Sequence, residues 1–358
     1  MTLYRLEIGH LRNLQSVSLF PHPHLNVLSG PNGSGKTSLL EGIHLLGTGR
    51  SFRVNRVRRL VEDGQESCTV FAAFADGSKA GIRCTPAGIS ELRIDGSPAA
   101  GLADLARALP LLLFEPASFE VFDEGSKPRR AQLDWGVFHV EHGFYSVWRN
   151  YQRALKQRNS LLRSGSICGL EAQSWHVQMT EAATLLHAFR SSFMARWEPS
   201  WQQHLQDFLP GVDLSLDYVP GWDTETALGA LLTEQWSKDT ERGFTQYGPH
   251  RADLRIRAGN VPASEVLSRG QRKLALFALK LSQLSLLEGL GQRCILMVDD
   301  LASELDAEAR SRLLGYLAKS PSQVFVTAID AEAVALPLRE ANQEYKLFHV
   351  EHGNIQEG

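Results

Sequence analysis

One segment near the start of the chain has the residue types that bind phosphate. It consists of Gly30, Pro31, Asn32, Gly33, Ser34, Gly35, Lys36 and Thr37. It matches the pattern G-x-x-x-x-G-K-[ST], with an apolar stretch before it and a predicted helix after it. Glycines let backbone N–H groups turn toward phosphates, Lys36 can reach the β- and γ-phosphates of ATP, and Thr37 can hold Mg²⁺. With both flanking elements in place, a chance glycine-rich turn is a poor explanation.

A second segment places two carboxylates after a predicted buried strand. Residues 294–298 are apolar and are followed by Asp299 and Asp300. Asp299 would bind Mg²⁺ through water, and Asp300 is placed to orient or deprotonate an attacking water. Because many buried strands end in aspartate, this pattern alone is weak evidence for a nucleotide site. Together with the glycine-rich segment it is strong evidence. We therefore predict Lys36, Asp299 and Asp300 as catalytic residues, and Thr37 and Asp299 as ligands of Mg²⁺.

Two further segments flank the carboxylates. Residues 267–271 are Leu-Ser-Arg-Gly-Gln and precede a long predicted helix, and residues 303–306 are Ser-Glu-Leu-Asp. They resemble the signature motif and the D-loop of ABC ATPases. That resemblance implies that Ser268, Gly270, Gln271 and Asp306 contact the nucleotide held by a second subunit, so that ATP is sandwiched in a dimer. Alternatively, Ser268 simply caps the helix that follows it.

Basic residues fall into two groups, although the formal net charge is −3. The first group is Arg50, Arg53, Arg56, Arg58 and Arg59, and the second is Lys127, Arg129, Arg130, Arg149, Arg153, Lys156 and Arg158. In a dimer, either group could form a positive groove for DNA phosphates without reading bases. As candidates for DNA contact we take all five arginines of the first group, together with Arg129 and Arg130 of the second. Such groups are often only solvated faces. With an acidic chain, we expect modest, salt-sensitive DNA affinity.

The remaining composition narrows the setting. The four cysteines show no CxxC spacing, no apolar run reaches about 18 residues, and the start lacks the pattern of a secretory signal. We therefore expect a cytoplasmic protein with reduced thiols and no membrane segment. The hexapeptide Phe-His-Val-Glu-His-Gly occurs at 138–143 and again at 348–353. Because no third ligand accompanies either copy, we interpret the repeat as coincidence rather than as a metal site.

Hydrophobic periodicity predicts an interrupted α/β domain. Short alternating strands and Asp-Gly turns dominate residues 1–115, which predicts an antiparallel β patch beside the glycine-rich segment. Residues 116–240 are mainly helical and carry the predicted hairpin of 145–162 and 171–197. Strands and helices alternate again over 241–358. The predicted fold is an ABC-type P-loop ATPase head, in two parts, with the antiparallel patch and an inserted helical subdomain.

Several segments together resemble the RecF family over essentially the whole chain. They are Ile8–Asn13, the glycine-rich loop with Asn32, residues 49–53, Tyr247–Asp253 and residues 348–353. The resemblance implies ATP-dependent binding of single- and double-stranded DNA at gaps, head-to-head homodimerisation, and action with RecO and RecR to load RecA. It further implies roles in recombinational repair, replication recovery and SOS induction.

Two departures from ABC transporters bear on the rate of hydrolysis. Ala328 stands where transporters carry a switch histidine, and no Q-loop glutamine is evident near residues 114–116. We expect slow, DNA-linked ATP hydrolysis that acts as a timed switch. The alternative function is the nucleotide-binding subunit of a transporter. For Tyr247–Asp253, a structural role and contact with nucleotide or a partner both remain open.

Overall fold

A computed structural model describes residues 2–54, 56–115, 118, 120–123, 125–165, 169–301 and 305–358, without the side chain of residue 123. The chain divides into two compact units. Unit 1 comprises Met1–Ala117 and Leu287–Gly358, and unit 2 comprises Ser118–Leu286. Unit 2 is thus inserted in the chain of unit 1, as the predicted helical insertion would be.

Unit 1 contains two six-stranded sheets. Its strands are β1 (Leu3–Leu11), β2 (Leu14–Leu19), β3 (Leu25–Ser29), β4 (Cys68–Phe74), β5 (Lys79–Thr85), β6 (Gly88–Ile94), β7 (Ser97–Pro98), β8 (Leu111–Phe114), β12 (Ile295–Val298), β13 (Gln323–Ala328), β14 (Lys346–Glu351) and β15 (Asn354–Glu357). One sheet has the order β2-β1-β4-β5-β6-β7 and is antiparallel throughout. Its existence confirms the predicted antiparallel patch, including the Asp76-Gly77 and Asp95-Gly96 turns.

The second sheet of unit 1 has the order β15-β14-β3-β13-β12-β8. All its pairings are parallel except the edge hairpin of β14 and β15. Strands β3, β12 and β13 are buried along their whole length, because parallel strands are covered on both faces. Unit 1 also contains the helices α1 (Lys36–Thr48), α2 (Leu102–Ala108), α11 (Ala307–Leu317) and α12 (Glu332–Glu340). This mixed arrangement confirms the predicted α/β class.

Unit 2 is mainly helical. Its helices are α3 (Glu120–Asp123), α4 (Ser126–Val140), α5 (Phe144–Arg163), α6 (Leu170–Phe208), α7 (Leu228–Glu234), α8 (Trp236–Arg242), α9 (Ala263–Val266) and α10 (Arg269–Gly289), the last of which runs into unit 1. Helices α5 and α6 pack side by side, as the predicted hairpin requires. All seven tryptophans of the chain lie in unit 2.

The second boundary between the units differs from the predicted one. We placed the return to the ATPase domain at residue 241, because alternating strands and helices resume there. Strands β10 (Asp253–Ala258) and β11 (Val261–Pro262) instead pair with β9 (Ser215–Val219), in a separate three-stranded sheet. Their hydrogen bonds therefore place them in unit 2, which continues to Leu286 and includes the signature segment.

Candidate functional site

The glycine-rich loop joins the buried strand β3 to helix α1, and two of its glycines are required by the backbone. Gly30 has φ +150°, and a Cβ there would meet the Val350 carbonyl oxygen at 2.1 Å. Gly35 has φ +121°, and a Cβ would lie 2.9 Å from Leu14 Cδ2. No L side chain fits either position without displacing a neighbour. The glycines let the loop turn tightly between β3 and the N-terminus of α1, which is an anion-binding position.

Two polar side chains of the loop indicate what it binds. The ammonium group of Lys36, which is 7% exposed, donates to the carbonyl oxygens of Gly30 at 2.7 Å and Pro31 at 2.9 Å. Burial lowers the pKa of Lys36. Ser34 Oγ is buried and has no hydrogen-bond partner among the described residues. A buried ammonium group and an orphaned hydroxyl beside a helix N-terminus fit a phosphate chain.

The carboxylate of Asp299 is held by two threonines. Thr37 Oγ1 donates to Asp299 Oδ1 at 3.0 Å, and Thr327 Oγ1 donates to the same oxygen at 2.8 Å. Burial raises the pKa of Asp299, against the lowering effect of these hydrogen bonds. A divalent cation beside Thr37 would favour the ionised carboxylate, so the donor set fits Mg²⁺. The structure thus brings together the two predicted metal ligands, which are 262 positions apart in the sequence.

Asp300 adopts a left-handed backbone conformation that is uncommon among non-glycine residues. Its φ is +52°, and its N–H donates to Thr327 Oγ1 at 2.7 Å. Non-glycine residues at positive φ cost free energy and concentrate at functional sites. Thr327 therefore holds the carboxylate of Asp299 and the backbone of Asp300. Thr327 was not predicted from the sequence, although it directly precedes Ala328 at the predicted switch position.

A cleft of about 600 Å³ opens over this loop. Its lining includes Asn32, Gly33, Ser34, Gly35, Lys36, Thr37, Asp299 and Asp300 from the predicted set, together with Arg12, Asn13, Ser38, Arg53, Arg59, Val61, Glu62, Asp63 and Thr327. Gly30 and Pro31 contribute carbonyl bonds to Lys36 rather than lining. From the sequence, Arg12 and Asn13 stand out only as part of a segment that resembles a known family. Their place in the cleft follows from the packing of β1 against α1.

A buried glutamate on α1 holds two arginine-bearing segments of the cleft. Glu41 is fully buried and accepts two 2.9 Å hydrogen bonds from the Arg12 guanidinium. Ser51 Oγ also donates to Glu41, and it accepts from the backbone N–H groups of Arg53 at 2.9 Å and Val54 at 3.0 Å. One carboxylate therefore fixes the orientation of Arg12 and the start of the segment that carries Arg53.

Comparison with known proteins gives this site a family context. A family model described as the RecF/RecN/SMC N terminal domain matches residues 2–356. The DNA replication and repair protein RecF of Acinetobacter baylyi (strain ATCC 33305 / BD413 / ADP1) is 40% identical over 99% of both chains. RecF of Shewanella baltica (strain OS155 / ATCC BAA-1091) is 42% identical, again over 99% of both. This chain belongs to the RecF family.

Solved structures agree with the RecF assignment. The structure of the recombination mediator protein RecF with ATPrS, from the RecFOR pathway, has a TM-score of 0.87 at 25% identity, covering 99% of this chain and 97% of that one. A RecF–ATP structure matches equally well, with a TM-score of 0.87. The SmcHead bound to the C-winged helix domain of ScpA has a TM-score of 0.61 at 14% identity, so it shares the fold. The predicted ATPase-head fold and the RecF resemblance are both confirmed.

The signature segment of this RecF-family chain forms a complete helix cap. Ser268 Oγ accepts from the Gln271 N–H at 3.2 Å, and Gln271 Oε1 accepts from the Ser268 N–H at 2.9 Å. This reciprocal pair is a capping box at the start of α10. No described residue comes within 4 Å of the position that a Cβ would take at Gly270. Asp306 caps α11 by accepting from the Ala309 N–H at 2.8 Å, whereas residues 303 and 304 lie outside the described part of the chain.

The structure separates the arginines predicted to touch DNA. Arg50, Arg53, Arg56, Arg58 and Arg59 are all exposed, but Arg53 and Arg59 line the nucleotide cleft. In unit 2, Arg129 forms a bidentate ion pair with Asp253 at 2.8 and 3.1 Å. Arg130 donates to the Ala252 carbonyl at 2.7 Å. These bonds hold the side chains of Arg129 and Arg130 within unit 2. The sequence pattern did not distinguish such internal contacts from contacts with DNA.

Other predicted features have clear positions. His250 Nε2 donates to the Thr245 carbonyl at 3.0 Å, and His250 Nδ1 forms a hydrogen bond with Tyr151 Oη at 2.7 Å, so the ring braces unit 2. Among the described residues, no helix is long and apolar enough to span a membrane. Within the same residues, no cluster of three His, Cys, Asp or Glu side chains forms a metal site.

Proposed function

We propose that this chain is an ATP-dependent DNA-binding protein that acts in recombinational repair and replication recovery. Two findings support the proposal. Its RecF relatives are named DNA replication and repair proteins, and the matching solved structures include RecF with ATP. Family membership also favours this function over that of a transporter subunit.

The observation that carries the nucleotide assignment is the Thr37–Asp299–Thr327 arrangement beside the glycine-rich loop. Lys36 would exchange its bonds to the loop carbonyls for the β- and γ-phosphate oxygens of ATP. Thr37 and Asp299 would hold Mg²⁺, which when bound neutralises charge on the phosphates. Asp300, fixed at its backbone by Thr327, is positioned to orient the attacking water. We expect hydrolysis to be slow and to reset the protein.

Dimerisation would complete the site. Ser268, Gly270, Gln271 and Asp306 are proposed to meet the γ-phosphate bound by a second copy, because helix N-termini offer N–H groups and positive potential to anions. ATP would then hold two heads together on DNA at a single-strand gap. With RecO and RecR the dimer would help load RecA and so support SOS induction in the cytoplasm.

The test is fluorescence anisotropy of a labelled gapped duplex with ATP, with ADP and without nucleotide, using the wild type, Lys36→Ala and Ser268→Ala. We expect ATP to tighten DNA binding, and both substitutions to abolish the gain. Asp300→Asn should trap an ATP-bound dimer that is stable in size-exclusion chromatography. DNA affinity that does not respond to nucleotide, in the wild type, would overturn the proposal.

A further inference from the structure

Helix α5 carries a row of cations that the nucleotide site does not use. Arg149, Arg153, Lys156 and Arg163 are all exposed. At 3.6 residues per turn, these positions fall within roughly a quarter of the helix circumference. The row extends for about 21 Å, since each residue adds about 1.5 Å. It is therefore a positive strip on one face of α5, with a gap of about two turns between Lys156 and Arg163.

Among the described residues, no carboxylate forms an ion pair with this strip. Helix α5 contains no Asp or Glu. In the described part of unit 2, ion pairs are formed by other arginines, among them Arg129, Arg190 and Arg196. Like charges three and four positions apart on a helix destabilise it. An anionic ligand would relieve the repulsion between these cations more effectively than water alone does.

The helix itself separates surface cations from a structural one. Arg158 belongs to the same run in the sequence but lies on the opposite face, where it is fully buried. It donates to Asp239 Oδ2 at 2.7 Å and Thr245 Oγ1 at 2.7 Å. The buried cation is paired, as burial of charge requires, whereas the exposed ones form no ion pair within the described residues.

An aromatic ring continues the strip at its N-terminal end. Tyr145 lies one turn before Arg149 on the same face and is partly exposed. Its ring stacks on Trp148, with centroids 6.3 Å apart and an interplanar angle of 17°. Cations that follow a backbone, together with an aromatic surface for bases, are the features that bind single strands without sequence preference. In an intact duplex the bases are stacked on one another, so a side-chain ring reaches their faces only where a base step is opened.

We propose that Tyr145, Arg149, Arg153, Lys156 and Arg163 form a track for single-stranded DNA, with the cations on successive phosphates and the tyrosine against an unpaired base. This inference rests on the proposed function and assigns its DNA contact to a particular surface. The sequence placed Arg149, Arg153 and Lys156 in one group with the structural arginines, without indicating which members of that group could reach DNA. Tyr145 and Arg163 stood outside that group.

The track is tested with the full chain, ATP and Mg²⁺, and a labelled single-stranded oligonucleotide over a series of salt concentrations. The variant is Arg149→Gln/Arg153→Gln/Lys156→Gln. Its control is Lys79→Gln/Lys238→Gln/Lys319→Gln, which removes the same charge from exposed lysines outside α5. We expect the variant to bind roughly tenfold or more weakly, with a salt slope shallower by about 2. The control should match the wild type.

The outcomes distinguish this inference from the proposed function. If the wild type binds no DNA, both are overturned. If it binds with ATP and the triple variant keeps its affinity and salt slope, only the track is overturned. Tyr145→Leu addresses the strand type: we expect several-fold weaker binding of the single strand and unchanged binding of a duplex of equal length. Equal loss on both would contradict the single-strand assignment.

Discussion

At the scale of single residues, the buried carboxylate of Glu41 has the widest effect on the nucleotide cleft. It holds the guanidinium of Arg12 and, through Ser51, the backbone of Arg53. Glu41→Gln keeps the side-chain shape but removes the charge that makes these bonds strong. We expect nucleotide affinity to fall by about tenfold, equivalent to about 1.4 kcal/mol. Titration with a fluorescent ATP analogue measures it.

The control for this change is Glu91→Gln, which removes an exposed carboxylate paired with Arg93 in the same unit. Exposed ion pairs contribute little, so this variant should bind nucleotide like the wild type. Circular dichroism melting shows whether each variant is folded at the temperature of the titration. A folded Glu41→Gln protein with wild-type affinity would show that the orientation of Arg12 and Arg53 does not matter for binding.

At the scale of secondary-structure elements, Ser268 at the N-terminus of α10 has two proposed roles. It caps the helix, and it contacts the phosphate bound by a second copy. Ser268→Ala removes the cap and should destabilise unit 2 by about 1 kcal/mol. Ser268→Asp keeps a good capping oxygen but brings a negative charge to the proposed phosphate contact. We expect the aspartate variant to retain wild-type stability, measured by urea unfolding, and to lose ATP-driven dimerisation, measured by light scattering. Wild-type dimerisation of that variant would leave capping as the role of Ser268.

The elements also show why the sequence predicted some features and missed others. Strands and helices around the nucleotide site follow from local hydrophobic period and from glycine positions, so β3, α1 and β12 were predictable. The directions of Arg12 and Arg129 depend on bonds to Glu41 and Asp253, which are 29 and 124 positions away in the sequence. Tertiary partners at such separations leave no local pattern. Helical phase alone, however, would have set Arg158 apart from the exposed strip.

At the scale of the whole molecule, the histidines of unit 2 make its stability depend on pH. Burial lowers the pKa of His250 to about 4, and burial together with the charge of Arg158 lowers that of His176 to about 4. The unfolded chain therefore binds more protons than the folded chain between pH 4 and about 6.5. Unit 2 should be most stable above about pH 6.5 and lose stability as pH falls to 5, by up to about 1.4 kcal/mol per pH unit for His250.

Tryptophan fluorescence measures this effect selectively, because every tryptophan lies in unit 2. Urea midpoints recorded by fluorescence should fall between pH 7 and pH 5. His250→Gln, which removes one titrating ring, should reduce the slope. A fluorescence midpoint that is flat over this range would show that both rings are accommodated in their charged form.

The order of strands around β3 has a consequence for synthesis on the ribosome. Leu25 of β3 pairs with Val324 of β13, and Asn26 pairs with Lys346 of β14. At about 5–20 residues per second, roughly 15–60 s separate the emergence of β3 from that of its first neighbour. Unit 2 emerges complete within that interval. The nascent chain therefore holds an apolar strand and a glycine-rich loop without their sheet, which makes β3 a candidate binding segment for chaperones that recognise extended apolar peptides.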